Sequence, residues 1–504
     1  MRPVNEDDLR TEEASAEDCR DPYGSWDTIP WDRVETHVSR LQTRIAVAER
    51  EGRGEDVRRL QRMLTGSFDA KLLAVRTVTT NRGKNTPGVD MVTWDTPDSK
   101  LEAARSLTSR GYRAKPLRRV RIPKKKPGQT RPLGIPTMYD RAMQALWAMA
   151  LDPVAEVRAD RNSFGFRKGR CPQDAHQRLF NLLCRRDSPE WVLEGDIRGC
   201  FDNISHEWLM ENVPMDKAVM AQFLRAGFME LGTWHPTVAG TPQGGGISAV
   251  YCNLALDGME DLLARHFTLG GTGRRDARKA GRSKVHAVRF ADDFVVTASS
   301  PEVAEEARRL LVPFLSERGL ELSAEKTLVT SMADGFDFLS WNFRKYRGKL
   351  LTKPSKDAVR SFLRETHRVI LREGRGMCAE ELVRVLTPKV RGFAGYHLHT
   401  CASEAFAHIA YVMWLQLRRW ASRRHPRKGA RWVARRYWHR AGGNQNVFST
   451  GGCLLAPITW HHVVRHVALR TDMNPYVDRP YFEARRAMLR ERRSKSFHMP
   501  AAVA

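Results

Sequence analysis

Phe290-Ala291-Asp292-Asp293 lies between apolar β-formers, Val285 and Val288 before it and Phe294, Val295 and Val296 after it. The pattern predicts two short strands joined by a tight turn that carries the carboxylates at its tip. Side chains alternate faces along a strand, so Asp292 and Asp293 are not expected to point the same way. That leaves one of them to pair with an acid from a neighbouring strand. Trp191-Val192-Leu193-Glu194-Gly195-Asp196-Ile197, an apolar run ending in an acid, supplies Asp196. Taken singly, each of these acids reads as an ordinary turn or surface aspartate. Converging on one sheet, they form an oxygen site for two Mg2+ ions and phosphoryl transfer. Asp196 and Asp292 are the leading ligands, Ile197 can add its backbone carbonyl, and Asp293 ranks as a supporting acid because its strand face differs.

Composition bounds the partner. The 504 residues exceed one core, and three or so domains are expected. A formal net charge of +26 on a chain that is 41% hydrophobic points to a globular protein meeting a polyanion, with nucleic acid the leading candidate. No apolar run reaches membrane-span length, and no secretory leader is read at the start, so no membrane role is expected. The eight cysteines are scattered without a Cys-x-x-Cys pair, which speaks against a zinc module or a disulfide framework and for a reducing cytosol. Residues 1–25 are acidic and polar and are expected to be disordered.

Further along, Val34, Val38, Leu41, Ile45 and Ala48, then Val57, Leu60, Met63 and Leu64, mark a helical hairpin within residues 26–80. Between Arg118 and Pro136 a β-run, a basic turn and a second β-run predict a cationic hairpin, whose Lys124 and Arg131 can reach triphosphate oxygens. Phe201, five residues past Asp196, is either a core phenylalanine or a ring pressed against a sugar 2′ position. Gln243, after Pro242, is placed to touch an incoming nucleotide. Lys326, in Leu322-Ser323-Ala324-Glu325-Lys326-Thr327, is either a solvated lysine or a proton donor to pyrophosphate. Residues 405–440 interleave aromatics and cations, including Trp414, Arg418-Arg419-Trp420, Arg424-His425 and Trp432. They read as amphipathic helices or as an RNA-contacting face.

The order Arg118-Arg119, Ile122-Pro123-Lys124, Arg131-Pro132-Leu133-Gly134-Ile135-Pro136, Asn162-Ser163-Phe164-Gly165-Phe166-Arg167, Asp196-Ile197…Phe201-Asp202, Pro242-Gln243-Gly244, Phe290-Ala291-Asp292-Asp293, Leu322-Ser323…Lys326-Thr327 and Gly335-Phe336…Phe338-Leu339 resembles the successive blocks of group II intron-encoded reverse transcriptases, from about residue 25 to about 490. The resemblance implies an α+β right-hand polymerase. Fingers and palm, with an antiparallel sheet, would occupy 81–345, a helical thumb or maturase domain 346–440, and a small basic DNA-binding domain 441–504.

It implies Asp196, Asp292 and Asp293 as catalytic acids working with two Mg2+, for which Mn2+ can substitute. Lys124, Arg131, Phe201, Gln243 and Lys326 would serve the nucleotide, and Phe338 with Leu339 the primer grip. Arg418, Arg419, Trp420, Arg424 and His425 would meet RNA, and Arg465, His466 and Arg485 DNA. The implied partners are intron RNA, an RNA template with its DNA primer, dNTPs and target DNA, in a bacterial cytoplasm. Phe290 departs from the usual tyrosine, Lys168 from a usual proline and Ser340 from a common glycine. Nothing after Cys453 resembles the paired cysteines and His-Asn-His cluster of the endonuclease many relatives carry. Second-strand nicking is therefore not expected, and insertion would take its primer elsewhere, such as a replication fork. A splicing-only cofactor and a domesticated polymerase, for example in phage defence, are the alternatives; retention of all three acids separates the chain from the first. Removal of everything after residue 440 is expected to spare polymerisation but to impair mobility into DNA.

Overall fold

The structure, a computed structural model, describes residues 23–123, 128, 130–241, 246–441, 446–450 and 452–497. Two of the expected nucleotide-contacting residues, Lys124 and Gln243, and most of the acidic N-terminal segment lie outside the described residues.

Helices Trp31–Arg50 and Gly54–Gly66 bury the two apolar stripes, with Val34, Ile45 and Leu64 fully inaccessible. They pack, with Phe68–Thr80, against the long helix Met138–Arg158, so this segment shares one apolar core with the sheet that follows. The cationic hairpin forms as β1 (Leu117–Pro123) and β2 (Thr130–Ile135).

The central sheet is antiparallel throughout. It contains β3 (Trp191–Asp196), β6 (His286–Phe290), β7 (Asp293–Ala298) and β8 (Leu328–Ser331), in the order β6-β7-β3-β8. A short hairpin, β4 (Phe228–Glu230) and β5 (Thr233–His235), joins the β1–β2 sheet by parallel pairing of Leu117 with Phe228. That addition was not expected, because strands of this length leave almost no periodic signal.

Beyond the central sheet, β9 (Phe336–Phe338), β10 (Trp341–Tyr346) and β11 (Lys349–Pro354) form a meander. A second apolar core follows, built from helices Lys356–Leu371, Ala379–His397 and Ser403–Arg424. Strands β12 (Trp438–Arg440), β13 (Asn446–Thr450) and β14 (Cys453–Leu454) cap it.

The last segment folds back onto the N-terminal half. The Tyr476 hydroxyl donates to Asp152, Thr43 Oγ1 donates to the Tyr476 carbonyl at 2.8 Å, and Arg479 donates to the Ser39 carbonyl at 2.5 Å. Phe482 lies so close to Gly169 that a Cβ there would meet its ring at 2.6 Å. Residues after 440, whose removal is expected to spare polymerisation, thus cover Asp152 of helix Met138–Arg158 and the buried Asp174 of helix Pro172–Leu183.

Among the described residues, no helix is long and apolar enough to cross a membrane.

Candidate polymerase active site

Strand register brings the acids together. Asp196 ends β3 directly opposite Asp293, the first residue of β7, and residues directly opposite in an antiparallel pair share a face. Asp292 occupies the two-residue turn between Phe290 and Asp293. The acid opposite Asp196 across the sheet is thus Asp293, where the strand-face argument makes it the supporting acid. Gly195 is what lets the strands close: it lies opposite Phe294, and a Cβ there would stand 2.1 Å from that ring.

The three carboxylates crowd one end of the sheet, with Lys326 paired to Asp196. Partial desolvation at the sheet end, reinforced by the Asp292 and Asp196 charges, pushes Asp293 up to about 6 although its side chain opens to solvent. Burial also raises Asp292, with Asp196 adding to it and Arg131 and Lys326 opposing it. Lys326 Nζ lies 2.8 Å from Asp196 Oδ2, and that hydrogen bond and the three negative charges hold its ammonium above the ordinary lysine range. An all-oxygen donor set whose carboxylates repel one another suits a hard divalent cation such as Mg2+ or Mn2+. The chain beyond Asp196 is pinned: its carbonyl accepts from Ser323 N at 2.8 Å, and the buried Ile197 bridges to Leu322.

Phe201 follows on the short helix Cys200–Asn203, half-buried, with its ring edge-on to Phe166 at 6.1 Å. Its carbonyl accepts from Thr241 N at 2.6 Å, which ties it to the segment leading to Gln243. Arg131 is exposed on β2, and its charge reaches Asp292. Phe338 is buried at the end of β9, and Leu339 with Ser340 forms a turn in which both have positive φ, 48° and 71°. Tyr396 Oη donates to the Leu339 carbonyl at 3.0 Å, so the helix Ala379–His397 holds this turn.

The proposed nucleic-acid residues separate into two groups. Arg418, Arg419 and Arg465 are exposed. Trp420 is a core residue whose indole donates to the Gly374 carbonyl at 2.7 Å, Arg424 donates to the Met377 carbonyl at 2.7 Å while stacking on Trp420, and His425 bonds the Tyr437 hydroxyl at 2.8 Å. His466 and Arg485 are buried against Asp174, His466 at 2.7 Å. The expectation for these last two, and for Trp420, is corrected: the side chains are buried and paired inside the fold. Of the interleaved aromatics, Trp414 (under Arg418 at 5.3 Å) and Trp432 (under Lys428 at 5.4 Å) are exposed, as is Tyr411, which no sequence pattern singled out.

Three family models match consecutive stretches of the chain. The N-terminal domain of reverse transcriptase covers residues 26–107, reverse transcriptase (RNA-dependent DNA polymerase) 122–343, and the group II intron maturase-specific domain 359–438. Protein YkfC of Escherichia coli K12 is 30% identical over 347 residues, which is 62% of this chain and 90% of that protein. The group II intron-encoded protein LtrA of Lactococcus lactis is 26% identical over 457 residues, 73% of this chain and 75% of its own. The putative COX1/OXI3 intron 1 protein of Saccharomyces cerevisiae is 29% identical over 310 residues, 52% of this chain and 37% of its own. The acid-bearing hairpin and Asp196 fall inside the polymerase match and the exposed Arg418 and Arg419 inside the maturase match, in the order the resemblance implied, and the chain belongs to the group II intron-encoded reverse transcriptases with a maturase domain.

Proposed function

We propose that this reverse transcriptase extends a DNA primer on an RNA template at the site formed by Asp196, Asp292 and Asp293, using two Mg2+ ions, and that the intron RNA is its natural template and splicing partner. The observation that carries this reading is the cross-strand pair Asp196–Asp293 with Asp292 in the adjoining turn, three carboxylates whose mutual repulsion calls for cations. Bound there, two divalent ions would activate the primer 3′ hydroxyl for in-line attack and steady the departing pyrophosphate. Arg131 meets phosphate oxygens of the dNTP. Lys326 gives up a proton to the leaving pyrophosphate once released from Asp196. Phe201 presses on the sugar 2′ position, with the Phe166 ring edge-on beside it. In this reading β1 and β2 belong to the fingers, the central sheet is the palm, and the core around helix Ser403–Arg424 is the thumb. Target DNA meets the basic surface that includes Arg465.

The test is cDNA synthesis by Asp292→Ala on poly(rA)/oligo(dT), with intron RNA binding measured in parallel. Synthesis is expected to vanish while RNA binding persists; continued synthesis would move the metal site elsewhere.

A further inference from the structure

Ala291, the first residue of the catalytic turn, holds φ 58°. A left-handed conformation is strained for a residue with a Cβ, so surrounding contacts must impose it. Those contacts converge on Arg289. In the β6–β7 register Arg289 lies opposite Phe294, one step out of phase with Asp293, so its side chain leaves the sheet on the face away from the acids. Its guanidinium is buried, Arg289 being 2% exposed. Nη1 donates to the Ala291 carbonyl and to Asn253 Oδ1, each at 3.3 Å, and Nη2 is ion-paired with Asp257.

Asn253 closes the ring by donating its Nδ2 to the Gly165 carbonyl at 3.0 Å. Gly165 backs directly onto the turn: a Cβ there would sit 2.2 Å from Ala291 N. The segment that carries Gly165 is stitched to β6 through Arg289 N to the Asn162 carbonyl and Phe164 N to the Arg289 carbonyl, both 2.9 Å. Asp257 in turn accepts from Asp160 N at 3.3 Å. Asn253 and Asp257 belong to, or directly follow, helix Ser248–Leu256, which begins just after the segment holding Gln243.

We propose that Arg289 is a positioning residue for the polymerase reaction: through the Ala291 carbonyl, Asn253 and Asp257 it fixes the height of the turn, and with it the metal affinity of the three acids. The inference rests on the reading that Asp196, Asp292 and Asp293 hold the metal. A group behind metal ligands that locks their placement is worth about 10–100-fold in metal affinity. Lysine keeps the charge but cannot span three acceptors from one planar group.

The experiment uses the full chain with Arg289→Lys, Asn253→Ala and, as a control on the reading itself, Asp292→Asn. Mn2+ binding is read directly by electron paramagnetic resonance, and primer extension is titrated with Mg2+ at saturating template and dNTP. For Arg289→Lys and Asn253→Ala the expected result is Mn2+ affinity weakened about tenfold or more, a matching rise in half-saturating Mg2+, and KM for primer–template unchanged within about twofold. A purely structural role would instead lower the active fraction and leave Mn2+ affinity and Mg2+ half-saturation where they were; that result overturns the proposal. If Arg289→Lys does not fold, Asn253→Ala decides alone, since it leaves Arg289 paired with Asp257. An active Asp292→Asn would remove the metal-site reading and this inference with it, whereas an inactive one beside unmoved metal affinities refutes only the role of Arg289.

Discussion

Ser340 stands at φ 71° next to Leu339 at φ 48°, the two central residues of the turn that joins β9 to β10. A turn with both central residues left-handed favours glycine over the serine present here. Ser340→Gly is therefore expected to stabilise the protein by about 0.5–1 kcal/mol, the strain relief being partly offset by unfolded-state entropy. A thermal melt that falls instead of rising would show that the Ser340 side chain makes a contact worth more than that strain. Phe201→Val is expected to raise ribonucleotide incorporation relative to deoxynucleotide by about tenfold or more, measured as the ratio of kcat/KM. An unchanged ratio would return Phe201 to the packing around Phe166. At this scale the sequence made the three acids legible, because an aromatic-Ala-Asp-Asp turn and a strand-end aspartate carry their own chemistry. It did not reveal which of the paired acids faces Asp196. That is decided by the two-residue length of the turn, which sets Phe290 against Asp293, and by the need to match Gly195 with the Phe294 ring.

The helix Arg479–Lys495 shows why an element's role was harder to read than its existence. A basic helix has the same sequence signature whether its cations face DNA or a buried carboxylate. Arg485 meets Asp174, 311 residues away in sequence, and no local pattern announces such a pair. The same holds for Tyr476 and Asp152, whose carboxyl burial pushes up to about 6. A carboxyl whose pKa rises on folding keeps a proton that the unfolded chain releases. Its contribution to stability is complete below the ordinary carboxylate value of 3.8 and is lost as pH rises through about 6. Above that, Asp152 is a half-buried carboxylate that depends on the Tyr476 hydroxyl. Tyr476→Phe is accordingly expected to cost about 1–3 kcal/mol at pH 8 and clearly less at pH 5. Denaturant unfolding at the two pH values checks this, and an equal loss at both would mean that the hydroxyl does not serve the charged form. Truncation after residue 440 uncovers Asp152 and Asp174 together, so the shortened chain is expected to lose folded yield as well as any DNA contact. Full polymerase activity at wild-type yield would restore the view of this segment as a separable domain.

Across the whole molecule the excess of cations is large, with 84 Lys and Arg against 58 Asp and Glu. Composition alone made a polyanionic partner legible, but not which cations are free to meet it. Many are spent inside the fold: Arg167 and Arg170 on Glu156, Arg289 on Asp257, Arg485 on Asp174. Others line the exposed face of helix Ser403–Arg424, where Arg418 lies over Trp414 and Arg419 is open to solvent. Phosphate contacts release condensed counterions, and for single strands the logarithm of affinity falls with the logarithm of salt at about 0.7 per contact. With about eight contacts, affinity for intron RNA would fall roughly 10³-fold between 50 and 200 mM salt. Arg418→Ala combined with Arg419→Ala should lower the slope by about 1–2 and leave the melting temperature near wild type, because neither side chain is buried. Arg485→Ala should do the reverse, lowering stability while leaving the slope almost unchanged, since its charge is already paired with Asp174. A filter-binding series over salt, run beside thermal melts of the same variants, separates the two classes; a slope that falls with Arg485 and holds with Arg418 and Arg419 would take the RNA off the Arg418–Arg419 face.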